Sequence, residues 1–316
     1  MTSSLLFLLL GFVLLYFGGE GLVRGSVALA LRLRLTPLII GLTVVAFGTS
    51  SPELVVSIKA ALNDQGALAI GNVIGSNILN IGLILGLTAM IYPMKVQLQV
   101  LRIDVPIMLG VSLLVVWLLS DLRLGRVEGG LLLAGLLAYV SFTVILAKKL
   151  KPSAEVEAEY AEAIPALRGS VWRDVTLILC GLALLVAGSH FIVDGAVSLA
   201  RGFGVNEAII GLTIVAMGTS LPELVTCVVA ALKKEPDIVL GNIVGSNLFN
   251  LLGILGAAAL AKPLIGTGIR MSDFLVMIAF TIALVPILWS FRKLQRWEAV
   301  LLLVGYVSYL AWRWPK

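Results

Sequence analysis

Residues 41–62 read GLTVVAFGTSSPELVVSIKAAL, and residues 211–232 read GLTIVAMGTSLPELVTCVVAAL. Fifteen of the 22 positions are identical, at a constant offset of 170. The same offset aligns GNVIGSNILNIGLILG at 71–86 with GNIVGSNLFNLLGILG at 241–256, without a gap, and weaker matches reach back to Gly11 and Gly181. The chain is therefore an internal duplication.

Both copies lie in a chain of 316 residues that is 59% hydrophobic and 13% charged, with a mean hydropathy of +1.07. Soluble domains carry about 25% charged residues, so this composition is that of an integral membrane protein. A bilayer span takes about 20 apolar residues. Apolar runs bounded by charged or turn-forming residues give ten candidates, at about 5–24, 37–62, 68–91, 104–120, 127–147, 173–200, 206–232, 238–261, 272–291 and 297–313. The N-terminal run lacks the basic flank of a cleaved signal and reads as the first span. No room remains for a large soluble domain.

The polar stretch 148–173 carries Glu155, Glu157, Glu159 and Glu162 near the midpoint and reads as a linker. The expected organisation is a first half at 1–149, a cytoplasmic linker at 150–172 and a second half at 173–316. With the N-terminus outside and every run crossing, 15 Lys and Arg fall inside and 8 outside. That excess puts both termini outside the cell membrane and the linker in the cytoplasm. The net charge of +5 comes from basic residues scattered singly among connections, so no nucleic-acid partner is expected. Cys180 and Cys227 lie in apolar runs without metal-ligand spacing and read as small buried hydrophobes.

Each half holds five candidate spans. An odd number makes the second copy enter the membrane from the opposite side, which gives inverted repeats, the pattern of secondary transporters with a site near the midplane. Channels can also be duplicated, so the choice falls to the motif residues.

Pro52 cannot donate to the carbonyl of Gly48, and its ring crowds that oxygen, so the second span should break or kink there. A break frees carbonyls around Ala46, Phe47 and Gly48, and Thr49, Ser50 and Ser51 add hydroxyls. Glu53 follows in the first turn of the second half-helix, where the dipole favours a carboxylate. A 26-residue span is about 39 Å long, and Glu53 lies only about 5 Å past its middle. The second copy supplies Ala216, Met217, Gly218, Thr219, Ser220, Pro222 and Glu223. Two antiparallel copies would bring Glu53 and Glu223 together, where they repel unless a cation sits between them. Carboxylates, hydroxyls and carbonyls form a hard all-oxygen set suited to Ca²⁺ and, with different occupancy, Na⁺. Competition of the two ions for one carboxylate pair is the physical basis of an antiporter.

Ser76 and Asn80, like Ser246 and Asn250, are spaced i, i+4 and share a face from which they could complete the ion shell. Asn72, Asn77, Asn242 and Asn247 are as well suited to bridging helices as to ligation. Glu20 and Arg24 read as an intrahelical pair, with His190 and Asp194 at the equivalent positions, and Asp104 and Asp273 read as solvated residues at span ends. His190 is the single histidine, which excludes a multi-histidine metal centre.

At these residues the sequence resembles the calcium:cation antiporter superfamily, specifically its sodium/calcium exchanger family of prokaryotic type. The two copies of G-T-S-x-P-E-L and of G-N-x-x-G-S-N, in this order around a central linker, carry the resemblance, which covers essentially the whole chain. It implies an all-α polytopic membrane protein of about ten helices in two inverted five-helix repeats. A four-helix core would be flanked by a long tilted pair, the first and sixth spans, which slide to alternate access. Matching motif positions imply Ca²⁺ ligation by Glu53, Thr49, Glu223 and Thr219. They imply Na⁺ sites drawing on Ser50, Ser76, Asn80, Ser220, Ser246, Asn250 and the carbonyls of Ala46 and Ala216. Some members of the family, notably in the potassium-dependent branch, carry Asp where this chain has Asn250, which weakens the case for K⁺ co-transport, and nothing here resembles the acidic second motif of the proton-coupled branch. About 24 linker residues are too few for the calcium-sensing domains of animal exchangers.

The expected function is exchange of Na⁺ for Ca²⁺ by alternating access, in membrane lipid, with no cofactor besides the transported ions and no obligatory protein partner. H⁺- or K⁺-coupled Ca²⁺ exchange and, from a different class, a cation channel are the alternatives. No nucleophile and base constellation marks an enzyme.

Overall fold

The computed structural model describes residues 2–149, 170–203 and 216–313. Residues 150–169 of the expected linker and 206–215 of the expected seventh span lie outside them. Among the described residues seven helices are long and apolar enough to cross a membrane, or eight if a pair bent by 46° counts as one span. In chain order the helices are α1 (Thr2–Leu33), the bent pair α2 (Pro37–Thr49) and α3 (Ser51–Leu62), α4 (Gly66–Ile91), α5 (Val100–Leu118) and α6 (Arg126–Lys149). They continue with α7 (Val171–Gly202), the short α8 (Ala216–Thr219), α9 (Leu221–Leu232), α10 (Pro236–Ala261), α11 (Met271–Trp289) and α12 (Arg296–Arg313).

Most boundaries agree with the apolar runs to within a few residues, with one correction. The first helix continues through Arg24 to Leu33 instead of ending at 24. Arginine is a good helix former, and Arg32 stays inside the helix because it reaches Asp174 in the first turn of α7.

α1 and α7 pack antiparallel along a stripe of small residues seven apart. Gly11 meets Gly188, Gly18 meets Gly181, and Gly25 and Gly195 lie on the backbones of Asp174 and Ser4. A Cβ on Gly181 would stand 2.6 Å from the Leu22 nitrogen, so only glycine allows this backbone approach, the packing mode of helices in lipid. The other side of α1, with Leu5, Leu6, Leu9 and Phe12, is exposed, as a bilayer-covered surface must be.

The centre of the molecule is formed by α4 and α10, which are 72% and 89% buried, against 17% and 28% for α6 and α7. Two short antiparallel strand pairs join loops of the two halves. β1 (Met94–Lys95) pairs with β4 (Lys293–Leu294), and β2 (Arg123–Leu124) pairs with β3 (Leu264–Ile265). The turns repeat the offset of 170: Asp64 and Lys234 both have φ 61°, and Leu122 and Arg292 have φ 58° and 50°.

Three lesser expectations are corrected. Asp104 and Asp273 are buried, at 1% and 6% exposure, because their helices begin before them. The Tyr139 hydroxyl donates to Asp104 at 3.0 Å, and Asp273 accepts from the Tyr309 hydroxyl at 3.1 Å and from Arg313 at 2.7 Å. Glu20 pairs with Lys233 just beyond α9 at 2.6 Å rather than with Arg24, which brings α1 against the core. Cys227 is buried, but Cys180 is exposed on the outer face of α7.

Candidate functional site

The bend between α2 and α3 falls at Ser50, whose φ of −82° and ψ of 8° leave the helical path, and Pro52 occupies the first turn of α3. There a proline loses no intrahelical bond. Ser220, between α8 and α9, has φ −91° and ψ 8°, and Pro222 stands in the same place. Each break sets a glutamate in the first turn of the following half-helix, Glu53 in α3 and Glu223 in α9. Both are buried, at 1% and 2% exposure.

The carbonyls expected to be freed are partly engaged. Ala46 O accepts from the Ser50 amide at 3.1 Å and the Thr49 hydroxyl at 3.4 Å, and Phe47 O accepts from the Ser51 hydroxyl at 3.0 Å. Ala216 lies in the turn of helix that leads into the second break.

The two halves exchange hydrogen bonds. Ser50 Oγ donates to Glu223 Oε1 at 2.7 Å, and Ser220 Oγ donates to Glu53 Oε1 at 2.7 Å. Ser76 Oγ lies 3.4 Å from Ser220 Oγ. The Thr219 hydroxyl lies beside Glu53 and the Thr49 hydroxyl beside Glu223. Asn80 Nδ2 donates to Asn247 Oδ1, and Asn250 Nδ2 donates to Asn77 Oδ1, both at 3.0 Å. Ser246 Oγ donates to Asn242 Oδ1 at 3.4 Å. Hydrogen bonds across the halves thus join Ser50 to Glu223 and Ser220 to Glu53, while Asn77, Asn80, Asn247 and Asn250 form a buried set of their own between α4 and α10.

Close approach makes this possible. A Cβ on Gly241 or Gly245 would stand 2.6 Å from the carbonyl oxygen of Leu38 or Leu42, so the glycines of G-N-x-x-G-S-N let α10 lie on the backbone of α2. A π-helical turn opens at Asn80 in α4, and another at Phe249 in α10, one residue before Asn250. Such turns rotate the following residues off the regular spiral. Asn77 and Asn247 act as the acceptors that bridge α4 and α10. Their i, i+3 spacing to Asn80 and Asn250 was the available signal.

Four buried oxygens of these residues accept no hydrogen bond: Glu53 Oε2, Glu223 Oε2, Asn80 Oδ1 and Asn250 Oδ1. Each asparagine spends its amide donors on a neighbouring side chain and keeps its oxygen, an orientation that follows from the hydrogen-bond network. Buried acceptors without donors cost about 1–3 kcal/mol each. Two carboxylate and two amide oxygens are the ligand chemistry of a hard cation. Among the described residues no group of three or more His, Cys, Asp and Glu gathers, so a transition-metal centre has no ligand set there.

Known proteins of similar sequence and structure identify the family. The family described as sodium/calcium exchanger protein matches residues 3–145 and 174–314. The putative antiporter CaxA of Alkalimonas amylolytica is 39% identical over 313 residues, covering 98% of each chain. The sodium/calcium exchanger MaX1 of Methanosarcina acetivorans is 33% identical over 345 residues, again with 98% of each chain covered. A solved structure of the sodium-calcium exchanger NCX_Mj, soaked with Na⁺ and Sr²⁺, superposes with a TM-score of 0.85 at 30% identity and covers 98% of each chain. The chain is a multi-pass membrane protein that belongs to the sodium/calcium exchanger protein family.

Proposed function

We propose that this protein is a Na⁺-driven Ca²⁺ antiporter that works by alternating access at a midplane site built from both halves. The observation that carries this reading is the set of four orphaned oxygens on Glu53, Glu223, Asn80 and Asn250, drawn equally from the two halves. Two carboxylates supply a charge of −2, which one Ca²⁺ or two Na⁺ neutralise, and the two loads exclude each other in one site. Thr49, Thr219, Glu53 and Glu223 hold Ca²⁺ in this reading. Ser50, Ser76, Asn80, Ser220, Ser246, Asn250 and the carbonyls of Ala46 and Ala216 hold Na⁺. Of these carbonyls, Ala46 O gives one of its two lone pairs to the Ser50 amide and keeps the other when the Thr49 hydroxyl donates to Asn242.

The architecture belongs to the same reading: ten spans in two inverted five-helix repeats, 1–149 and 173–316, joined by a cytoplasmic linker at 150–172, with both termini outside. The strand pairs support it, because crossing at every run puts the β1 and β4 loops on one side of the membrane and the β2 and β3 loops on the other. The glycine-packed α1 and α7 form the unit that slides against the core.

Coupling by Na⁺ rather than K⁺ is favoured by Asn250, whose amide leaves the charge at −2. The test is uptake of radioactive Ca²⁺ into proteoliposomes loaded with Na⁺. Uptake is expected to need the outward Na⁺ gradient, and uptake that ignores Na⁺ but follows a pH or K⁺ gradient overturns the assignment. Single-channel currents without counter-ion dependence would instead indicate a channel.

A further inference from the structure

Asn242 in α10 is fully buried and makes three side-chain contacts. Its Oδ1 accepts from Thr49 Oγ1 in the first half at 3.1 Å and from Ser246 Oγ in the second half at 3.4 Å. Its Nδ2 lies 3.2 Å from Cys227 Sγ. The equivalent residue of the first half, Asn72, makes the same kind of anchor: its Nδ2 donates to Ser57 Oγ at 3.0 Å, and Ser57 and Cys227 stand 170 apart. The amide end is therefore fixed to the preceding half-helix, which aims the oxygen end at two hydroxyls.

We propose that Asn242 is a positioning residue of the cation site, which takes the hydroxyl protons of Thr49 and Ser246 so that their lone pairs are left for the cation. The inference rests on the exchanger reading above and assigns a role that the ligand set does not contain.

A hydroxyl has one proton to donate and two lone pairs to offer. Ser50 and Ser220 spend their protons on Glu223 and Glu53. Thr49 lies beside Glu223, and a proton pointed at that carboxylate would make it a donor there instead of a cation ligand. Its other internal acceptor is Ala46 O at 3.4 Å, an oxygen of the proposed Na⁺ set. Asn242 Oδ1 accepts the proton from a direction that spares both. An amide does this without altering the charge of −2 that one Ca²⁺ matches, whereas an aspartate would add a third negative charge.

Partners that orient metal ligands in this way typically contribute about 10- to 100-fold to affinity. The experiment is equilibrium binding of radioactive Ca²⁺ to the purified full chain in detergent, comparing the parent with Asn242→Leu, Asn242→Asp and Glu223→Gln, each checked for a monodisperse elution profile. Asn242→Leu, which removes the acceptor, is expected to weaken Ca²⁺ binding by about 10- to 100-fold, and Asn242→Asp, which keeps an acceptor oxygen but loses the Cys227 anchor and adds a charge, is expected to bind Ca²⁺ more tightly than Asn242→Leu. Should Asn242→Leu fail to fold, Asn242→Ser, too short to reach Thr49, takes its place with the same expectation. Parental affinity in the acceptor-free variant, or equal weakening in Asn242→Asp, overturns the inference. Parental affinity in Glu223→Gln would instead overturn the site reading on which it rests, so the two failures are told apart.

Discussion

The Ser50 hydroxyl donates to Glu223 at 2.7 Å, so a residue at the break of the first half serves the carboxylate of the second. Ser220 returns the same bond to Glu53 at 2.7 Å. Neither half holds a complete carboxylate environment by itself. A hydrogen bond to a charged group contributes about 1.5–3 kcal/mol, so Ser50→Ala and Ser220→Ala should each weaken apparent Ca²⁺ affinity about tenfold or more. Because the two carboxylates they serve interact with each other, the double variant should depart from the product of the single effects. Ca²⁺ titration of uptake in proteoliposomes measures both.

Glu53→Gln and Glu223→Gln should abolish Ca²⁺ uptake while the protein still folds. The sign on stability is opposite in the two ion conditions. With cations chelated, the parent holds two buried carboxylates against each other, and one neutral amide removes that repulsion, so the variants should melt higher than the parent. With Ca²⁺ present the parent gains about 2.7 kcal/mol at a hundred times its Kd, and the variants should lose that gain. Thermal unfolding in chelator and in Ca²⁺ reads both arms, and near-normal uptake by either variant would sink the central site.

The glycine stripe predicts position-specific damage. Gly181→Val places side-chain atoms where a Cβ already stands 2.6 Å from the Leu22 nitrogen and 2.8 Å from the Gly18 oxygen. Backbone cannot yield as a side chain can, so a loss of about 1–3 kcal/mol or more is expected, read as a lower melting temperature. Gly110, in α5, has nothing within 4 Å of its Cβ position. Gly110→Ala should be neutral or slightly stabilising, through helix propensity.

The tyrosine clamps should differ in sensitivity. Tyr139→Phe leaves Asp104 with Gln99 at 3.4 Å as its remaining partner, and a poorly satisfied buried acceptor costs about 1–3 kcal/mol. Tyr309→Phe leaves Asp273 with the Arg313 pair at 2.7 Å, so its loss should be smaller. Equal losses in thermal unfolding would refute the assignment of these contacts.

The membrane class, most span boundaries, the duplication and the two proline breaks with their glutamates are written in the chain itself. They depend on run length, on a constant offset and on what proline does to its own helix, all of which act within a few residues along the chain. The reach of α1 to Leu33 was not legible there, because Arg24 looks like an end until Arg32 finds Asp174 on another helix. The solvated reading of Asp104 failed for the same reason: its partner Tyr139 lies 35 residues away. In the site, the residue types of Ser50, Asn80 and their counterparts announced a hard-cation chemistry. Which serine serves which glutamate, which asparagine oxygens stay unpaired and where Asn242 aims were decided only by packing the two helix breaks and α9 against each other and against α4 and α10. Those choices depend on donors and acceptors brought together from residues up to 193 positions apart, and no local spacing encodes such a distance.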